Sequence, residues 1–363
     1  MTANPAMVRG LSLRTELRVI AETDLPDVAR FIARQSGRQA ETVEAHLRWF
    51  LLENPCRQPQ HPLGFGLRFS DELVGCILCC PQLFTFQGKQ ILLMGSSSFY
   101  VDESHRGEGG RIFLTYCRLG NRWPLFGTSA NAAAAGLWKA AGAAPIPYAD
   151  GELFGVIRWS PVVEELLHRR NPNPTLLRLA IPPAARIAAV LMPLKIKGGE
   201  PGELHRLTAP EQVMELPIQG PSQKLTAQRD LPYIRWRYFS GRDASTAVYA
   251  FRCRKLGKDI LVSVNQRPRG YRAQIETLNL LDVYPEVAPD AYLRIVAALL
   301  SSYGESVDAV VLRSQDAVRQ KVLRASGFRW RQFDAPNGWF LDKSNLLPTR
   351  DWYFVPADGD GLI

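Results

Sequence analysis

The sequence predicts an α/β fold of the mixed-sheet, α+β kind, built twice in tandem. Three observations carry that prediction. Short β-type runs alternate with amphipathic helical runs along the chain. Two signatures recur: Leu47-Arg48-Trp49-Phe50 is echoed by Ile234-Arg235-Trp236-Arg237, and the helical run Asn131–Gly142 by Asp316–Gly327. Their spacing recurs too, with 93 positions from Trp49 to Gly142 and 91 from Trp236 to Gly327, as an internal duplication requires.

The elements follow in order. Leu17–Ala21 reads as a strand, then Asp24–Arg34 and Thr42–Leu52 as amphipathic helices, the first opened by Asp24 ahead of Pro26. Gly64–Phe69 and Leu73–Cys80 alternate as a hairpin around Ser70-Asp71-Glu72, and Ile91–Val101 is a longer strand running into a glycine-rich turn. A helix near Ile112–Leu119, a strand at Leu125–Gly127 and a helix ending at Gly142 complete the first unit. The second carries strands at Ala247–Cys253, Ile260–Val264, Ala273–Leu281 and Val307–Leu312, with helices at Ala291–Leu300 and Asp316–Gly327. The expected division is 1–160, a linker over 161–202, and 203–363. Pro182 and Pro183 break a helical reading of the basic, apolar stretch Leu176–Lys197, which reads as a packed linker rather than an interfacial membrane helix.

The 363 residues suit two domains, and 46% hydrophobic with 22% charged residues excludes a disordered, collagenous or disulfide-stapled chain. The 44 Lys and Arg against 35 Asp and Glu give +9, which suits anionic partners without choosing among phosphates, nucleic acid and membrane. Cys76, Cys79 and Cys80 lack a second Cys or His pair at ligand spacing, so buried thiols are expected and no metal. Neither a signal-like start nor a run of about 20 apolar residues is visible, and the expected location is cytoplasmic.

The chemistry-bearing stretch is Phe99-Tyr100-Val101-Asp102-Glu103-Ser104-His105-Arg106-Gly107-Glu108-Gly109-Gly110-Arg111. Glycines at a strand-to-helix junction let backbone amides converge without Cβ obstruction, and the helix dipole adds positive potential. The turn is therefore read as an anion site for a pyrophosphate, bracketed by Arg106 and Arg111. A Walker A loop is excluded, because no Gly-Lys-Ser/Thr follows.

The strand, the Arg106-Gly107-x-Gly109 turn and the helix opening at Asn131 resemble the GNAT-type N-acyltransferases, over roughly Leu17 to Tyr148. The resemblance implies acetyl-CoA as acyl donor, bound by Phe99, Val101, Arg106, Gly107, Gly109, Gly110, Arg111 and Asn131, with amides around Phe99–Val101 polarising the thioester carbonyl. Two positions depart from the family pattern. Arg111 stands where Gly or Ala is usual, either crowding the turn or reaching the CoA phosphates. Trp138 stands where a proton-donating tyrosine is usual, leaving that task to Tyr100, Tyr116 or a water. Glu103, His105 and Glu276 are the candidates to take the amine proton.

The second copy lacks the phosphate turn: Asp282-Val283-Tyr284-Pro285-Glu286-Val287-Ala288-Pro289 has acids and no glycine. It is similar in layout to the degenerate half of tandem acyltransferases, and the Leu47-Arg48-Trp49 and Tyr233-Ile234-Arg235-Trp236 motifs look most like the exopolysaccharide-associated bacterial group. The implied function is acyl transfer to an amine, of an amino sugar or polysaccharide precursor. An aminoacyl-tRNA-dependent transferase and a non-catalytic acyl-CoA-binding scaffold are the alternatives. The expected partner is a small-molecule or saccharide amine, with neither DNA nor tRNA favoured and a peripheral membrane-complex contact compatible with the charge. The aromatics Trp330, Phe333, Trp339, Phe340, Trp352, Tyr353 and Phe354 read as final core strands rather than sugar-stacking faces.

Overall fold

In chain order the elements are β1 (Glu16–Val19), α1 (Leu25–Ser36), α2 (Ala40–Leu47), β2 (Gly64–Phe69), β3 (Glu72–Phe86), β4 (Lys89–Val101), α3 (Gly109–Arg118), β5 (Leu125–Gly127), α4 (Ala132–Ala140) and β6 (Ala144–Pro145). Then come β7 (Gly151–Val156), α5 (Trp159–Arg170), α6 (Ile181–Leu191), β8 (Glu203–Leu207), β9 (Leu225–Ala227), α7 (Leu231–Ile234), β10 (Thr246–Arg252), β11 (Ile260–Arg269) and β12 (Ile275–Tyr284). The chain continues with α8 (Pro289–Tyr303), β13 (Ala309–Leu312), α9 (Ala317–Ala325), β14 (Arg329–Gln332), β15 (Trp339–Leu341) and β16 (Trp352–Tyr353). The computed structural model describes residues 15–147, 149–170, 181–196, 202–213, 224–240, 245–270, 274–313, 316–348, 352–353 and 355–358. Phe354 and the ends of the predicted linker stretch, Leu176 and Lys197, lie outside the described residues.

Two mixed sheets result. The first runs β1-β2-β3-β4-β5-β15-β6, with β9 pairing β3 and β16 pairing β9; the second runs β14-β7-β13-β12-β11-β10-β8. Each sheet takes strands from the other half of the chain. β7 lies between β13 and β14, whereas β15 closes the first sheet beside β5, with Trp339 opposite Gly127. A division at 160 and 203 is thus crossed in both directions, and the stretch 161–202 holds most of the α5 and α6 helices.

The duplication is visible atom by atom. Arg48–Leu52 and Arg235–Phe239 are both π-helical turns, closed by Glu53 N–H to Arg48 O (3.3 Å) and Ser240 N–H to Arg235 O (2.7 Å). The repeated tryptophans meet across the pseudo-dyad: each indole N–H donates to the other's carbonyl at 3.0 Å, with ring centroids 5.5 Å apart. The repeated helices match equally. Asn131 caps α4 by accepting from Ala134 N–H and Asp316 caps α9 by accepting from Val318 and Arg319 N–H, while Gly142 and Gly327 take φ of 83° and 98°. Only a residue without Cβ adopts that left-handed region cheaply.

The core common to both halves surrounds these tryptophans and draws on α1, α2, α7 and both sheets. Beneath it Arg229 is fully buried, donating to Asp282 (2.8 Å) and ion-paired with Asp358. Tyr238 OH also donates to Asp282. Burial pushes the Asp358 carboxyl up to about 6 against the pull of Arg229. A carboxyl raised above its ordinary 3.8 favours the native state when protonated, so that contribution is present at low pH and lost as pH rises through about 6. Urea denaturation of wild type and Asp358→Asn between pH 7 and 4 tests this: wild type should gain stability relative to the variant as pH falls. Parallel profiles would refute it.

The six cysteines are free, with Cys76, Cys79, Cys80 and Cys117 buried. Burial pushes the Cys76 thiol up to about 12, which makes it inert at neutral pH. Among the described residues no helix is long and apolar enough to cross a membrane. Trp339, Phe340, Trp352 and Tyr353 are buried in closing strands.

Candidate functional site

The site begins where two parallel strands part. β4 pairs with β5 only at Met94–Leu125, Gly95–Phe126 and Ser96–Gly127, after which β5 ends and β4 runs on to Val101. A bulge bends β4 at that point: Leu78 lies opposite Ser97 and Cys76 opposite Tyr100, so β4 carries one extra residue, and Ser98 sits at φ 48°. Beyond it Asp102 N–H donates to Val74 O (2.8 Å). Alternation along an antiparallel ladder then turns Tyr100 amide toward β3 and Val101 amide toward the vacated side.

The wedge between the parted strands is a cavity of about 280 Å³, walled by Ser96–Tyr100 and by Thr128–Asn131, with Trp138 at its base. Trp138 is buried edge-on against Phe113 and Tyr116. Tyr116 OH donates to Met94 O (2.7 Å) and contacts Phe126 O (3.3 Å), stitching the strands at their fork. Complete burial holds its phenol well above its ordinary range. Tyr116, one of the three donors the sequence left open, is therefore a strut at the fork.

Gly127 ends β5 at that fork. A Cβ there would stand 2.7 Å from Ser96 Oγ and 2.9 Å from Trp138 Cζ2, so the strand must carry glycine for the indole to seat. Gly127→Ala is expected to lower stability by about 1–3 kcal/mol through overpacking, read as a lower urea midpoint. An unchanged midpoint would show that Trp138 is free to move.

The glycine-rich turn is more regular than the sequence implies. It is wound as a 3₁₀ turn over Glu103–Glu108 that runs directly into α3, with His105 N–H bonded to Asp102 O (2.9 Å) and Gly109 N–H to Arg106 O. The picture of a loop with freely converging amides is thereby corrected: several of those donors close the turn itself. What the turn presents is the amino end of α3 with a bare surface. Neither Gly107 nor Gly110 would bring a Cβ within 4 Å of anything, and Gly109 would meet only Val101 and Phe99 at 3.6 and 3.7 Å. None of the three has positive φ.

The remaining predicted residues fall into separate groups. Phe99, Tyr100 and Asn131 line the 280 Å³ wedge. His105, Gly107 and Arg111 line a neighbouring cavity of about 730 Å³ beside the turn. Arg111 crowds nothing: it donates to Thr15 Oγ1 (3.0 Å) and Glu108 (3.2 Å). Arg106 is exposed and pairs with Glu103 at 3.4 Å, and Glu103 itself is 86% exposed. His105 Nδ1 lies 2.9 Å from Ser104 Oγ. Glu276 occupies the opposite end of β12, its backbone paired with Asp308, and lines none of these cavities.

Arg313 and Asp334, which the sequence did not flag, complete the site together with Phe333, which lines a cavity instead of joining a core strand as the sequence suggested. The loop Thr128–Asn131 also walls a cavity of about 540 Å³, whose far side is Arg313, Phe333 and Asp334. Arg313 in turn borders a fourth cavity, of about 220 Å³, in the second half. That cavity occupies the fork of β12 and β13, the counterpart of β4 and β5. It has no glycine turn, and Glu286 there holds Lys224 (2.8 Å) and Arg319 (3.3 Å). Only chain crossing brings these groups together, so no local signal announced them.

No protein-family model matches the sequence, and no curated protein matches it. Solved structures do match in fold. A GCN5-related N-acetyltransferase from Anabaena variabilis superposes with TM-score 0.53 at 10% identity, covering 90% of this chain and 72% of that one. N-myristoyltransferase from Saccharomyces cerevisiae with bound myristoyl-CoA gives TM-score 0.56 at 13% identity, covering 95% and 90%. The fold is that of two tandem GNAT-like domains, the second without the glycine-rich turn of the first.

Proposed function

We propose that the protein is an acyl-CoA-dependent N-acyltransferase, moving acetyl or another short acyl group to an amine. The observation that supports it is the bare amino end of α3. Glycine in a helix costs up to about 1 kcal/mol relative to alanine, yet Gly107 and Gly110 answer no backbone or packing demand. Their remaining use is close approach by a ligand, and a helix amino end favours an anionic one. The residues therefore fit a CoA pyrophosphate, with Arg106 and Arg111 adding positive charge and Asn131 fixing the loop at the mouth of the wedge. Phe99, which stands beside Gly109 and lines the wedge, links the turn to it, and the wedge is the slot for a thioester arm.

A bound thioester supplies a carbonyl open to attack by an amine. Val101 amide, on the unpaired edge of β4, is the group turned to the side where that carbonyl's charge develops. The 540 Å³ cavity beyond Thr128–Asn131 is the entry for the acceptor. Asp334 there is placed to take its proton, and the Phe333 ring under Arg313 (5.6 Å) offers a stacking face for a saccharide amine. Among the described residues no carboxylate lines the wedge itself. Trp138, at the position of a proton donor, supports a second reading: a module that binds acyl-CoA without turnover.

Calorimetry with CoA, followed by thiol release from acetyl-CoA over amines and amino sugars, tests both. Binding with turnover is the expected result, and tight binding without turnover would select the second reading. Failure of CoA to bind would overturn both.

A further inference from the structure

The helical hairpin between the two halves carries a surface that nothing in the acyl-transfer reading uses. Pro182 and Pro183 do not break α6; they occupy its first turn, where a missing N–H costs nothing. One side of the helix packs on α5, burying Ala185. Its exit is clamped to the second half by Lys195 N–H to Ser326 O (2.8 Å) and by Pro193 O, which leaves room only for glycine at Gly327. The outer side is an apolar stripe at helical spacing, with Ile187, Val190 and Leu191 exposed by 59, 78 and 71%. Leu166 of α5 is 53% exposed as well.

In the sequence, residues 166–199 contain six Lys and Arg and no Asp or Glu, with Glu164, Glu165 and Glu200 flanking the run. Within the described part Arg186 and Lys195 are exposed, and Arg169 pairs back to Glu165 of its own helix. A protein partner's surface normally mixes signs, whereas headgroup phosphates are uniformly anionic and overlie an apolar layer. An apolar stripe edged by cations is the chemistry of a helix lying in that interface.

We propose that α6 docks the protein on an anionic phospholipid surface, the stripe of Ile187, Val190 and Leu191 entering the acyl boundary while Arg186 and Lys195 meet headgroup phosphates. The test is co-sedimentation of the full chain with vesicles of phosphatidylcholine alone or mixed with phosphatidylglycerol. The protein should pellet with the mixed vesicles only, and less so at high salt. Arg186→Glu should weaken partitioning roughly thirtyfold, since it removes one cation and adds one anion. The double change Val190→Ser with Leu191→Ser should weaken it by about tenfold or more at an unchanged melting temperature. Wild type remaining in the supernatant, or full binding by the serine variant, would overturn the proposal. So would a dimer in sedimentation velocity that the serine variant dissolves without any vesicle binding, because a second copy would then cover the stripe.

Discussion

Gly110→Trp is expected to weaken CoA binding severely while the protein stays folded. The position has no positive φ and a Cβ there would meet nothing within 4 Å, so a side chain can leave the backbone without a clash. It would, however, occupy the approach to the amino end of α3. Losing two charge-assisted hydrogen bonds to a phosphate weakens binding by about a hundredfold. Removing a helical glycine should leave the melting temperature equal or slightly higher. Gly136→Trp is the control, since Gly136 is exposed on α4 with nothing within 4 Å and should bind CoA as wild type does. Calorimetry and thermal melts decide the matter together. Undiminished CoA binding by Gly110→Trp would place the diphosphate elsewhere.

Arg229→Met is expected to produce the largest loss of stability, on the order of 3–5 kcal/mol. The guanidinium is wholly buried between Asp282 and Asp358, flanked by the Tyr233 and Tyr284 rings at 5.2 and 5.4 Å. Removing it leaves two carboxylates without their cation in a site water does not reach. Neutralising one of them should restore part of the loss, so Arg229→Met with Asp282→Asn should be more stable than Arg229→Met alone. Urea denaturation followed by tryptophan fluorescence reads both. Equal midpoints for wild type and Arg229→Met would mean that the network contributes nothing to folding.

Much of the local structure was legible because its causes are local. The strand at Leu125–Gly127, the caps Asn131 and Asp316 and the glycines that end their helices are where the sequence predicts them. The Ser70-Asp71 hairpin turn is as well, both residues taking positive φ. The limits of β3 and β4 were less clear, because the turn at Gln87-Gly88 follows a run with no alternation and the strands extend to it. Prolines at 182 and 183 were misread as breakers, since sequence alone does not say whether a proline lies in a helix's first turn or its middle. The glycine turn was located correctly but expected to be open; whether successive glycines wind or splay depends on how β4 ends. Arg313 and Asp334 were invisible and Phe333 was assigned to the core, because the end of β13 and the segment from β14 to β15 meet the Thr128–Asn131 loop only through the crossing between sheets.

That crossing has a consequence for how the polypeptide is made. The edge of β5 beside the fork is completed by Trp339–Leu341, more than two hundred positions downstream. On the ribosome the first lobe emerges with its last pairing site vacant, and β7 emerges with no sheet to join until β13 is synthesised. An early stop late in the gene would thus strip a strand from the sheet translated first.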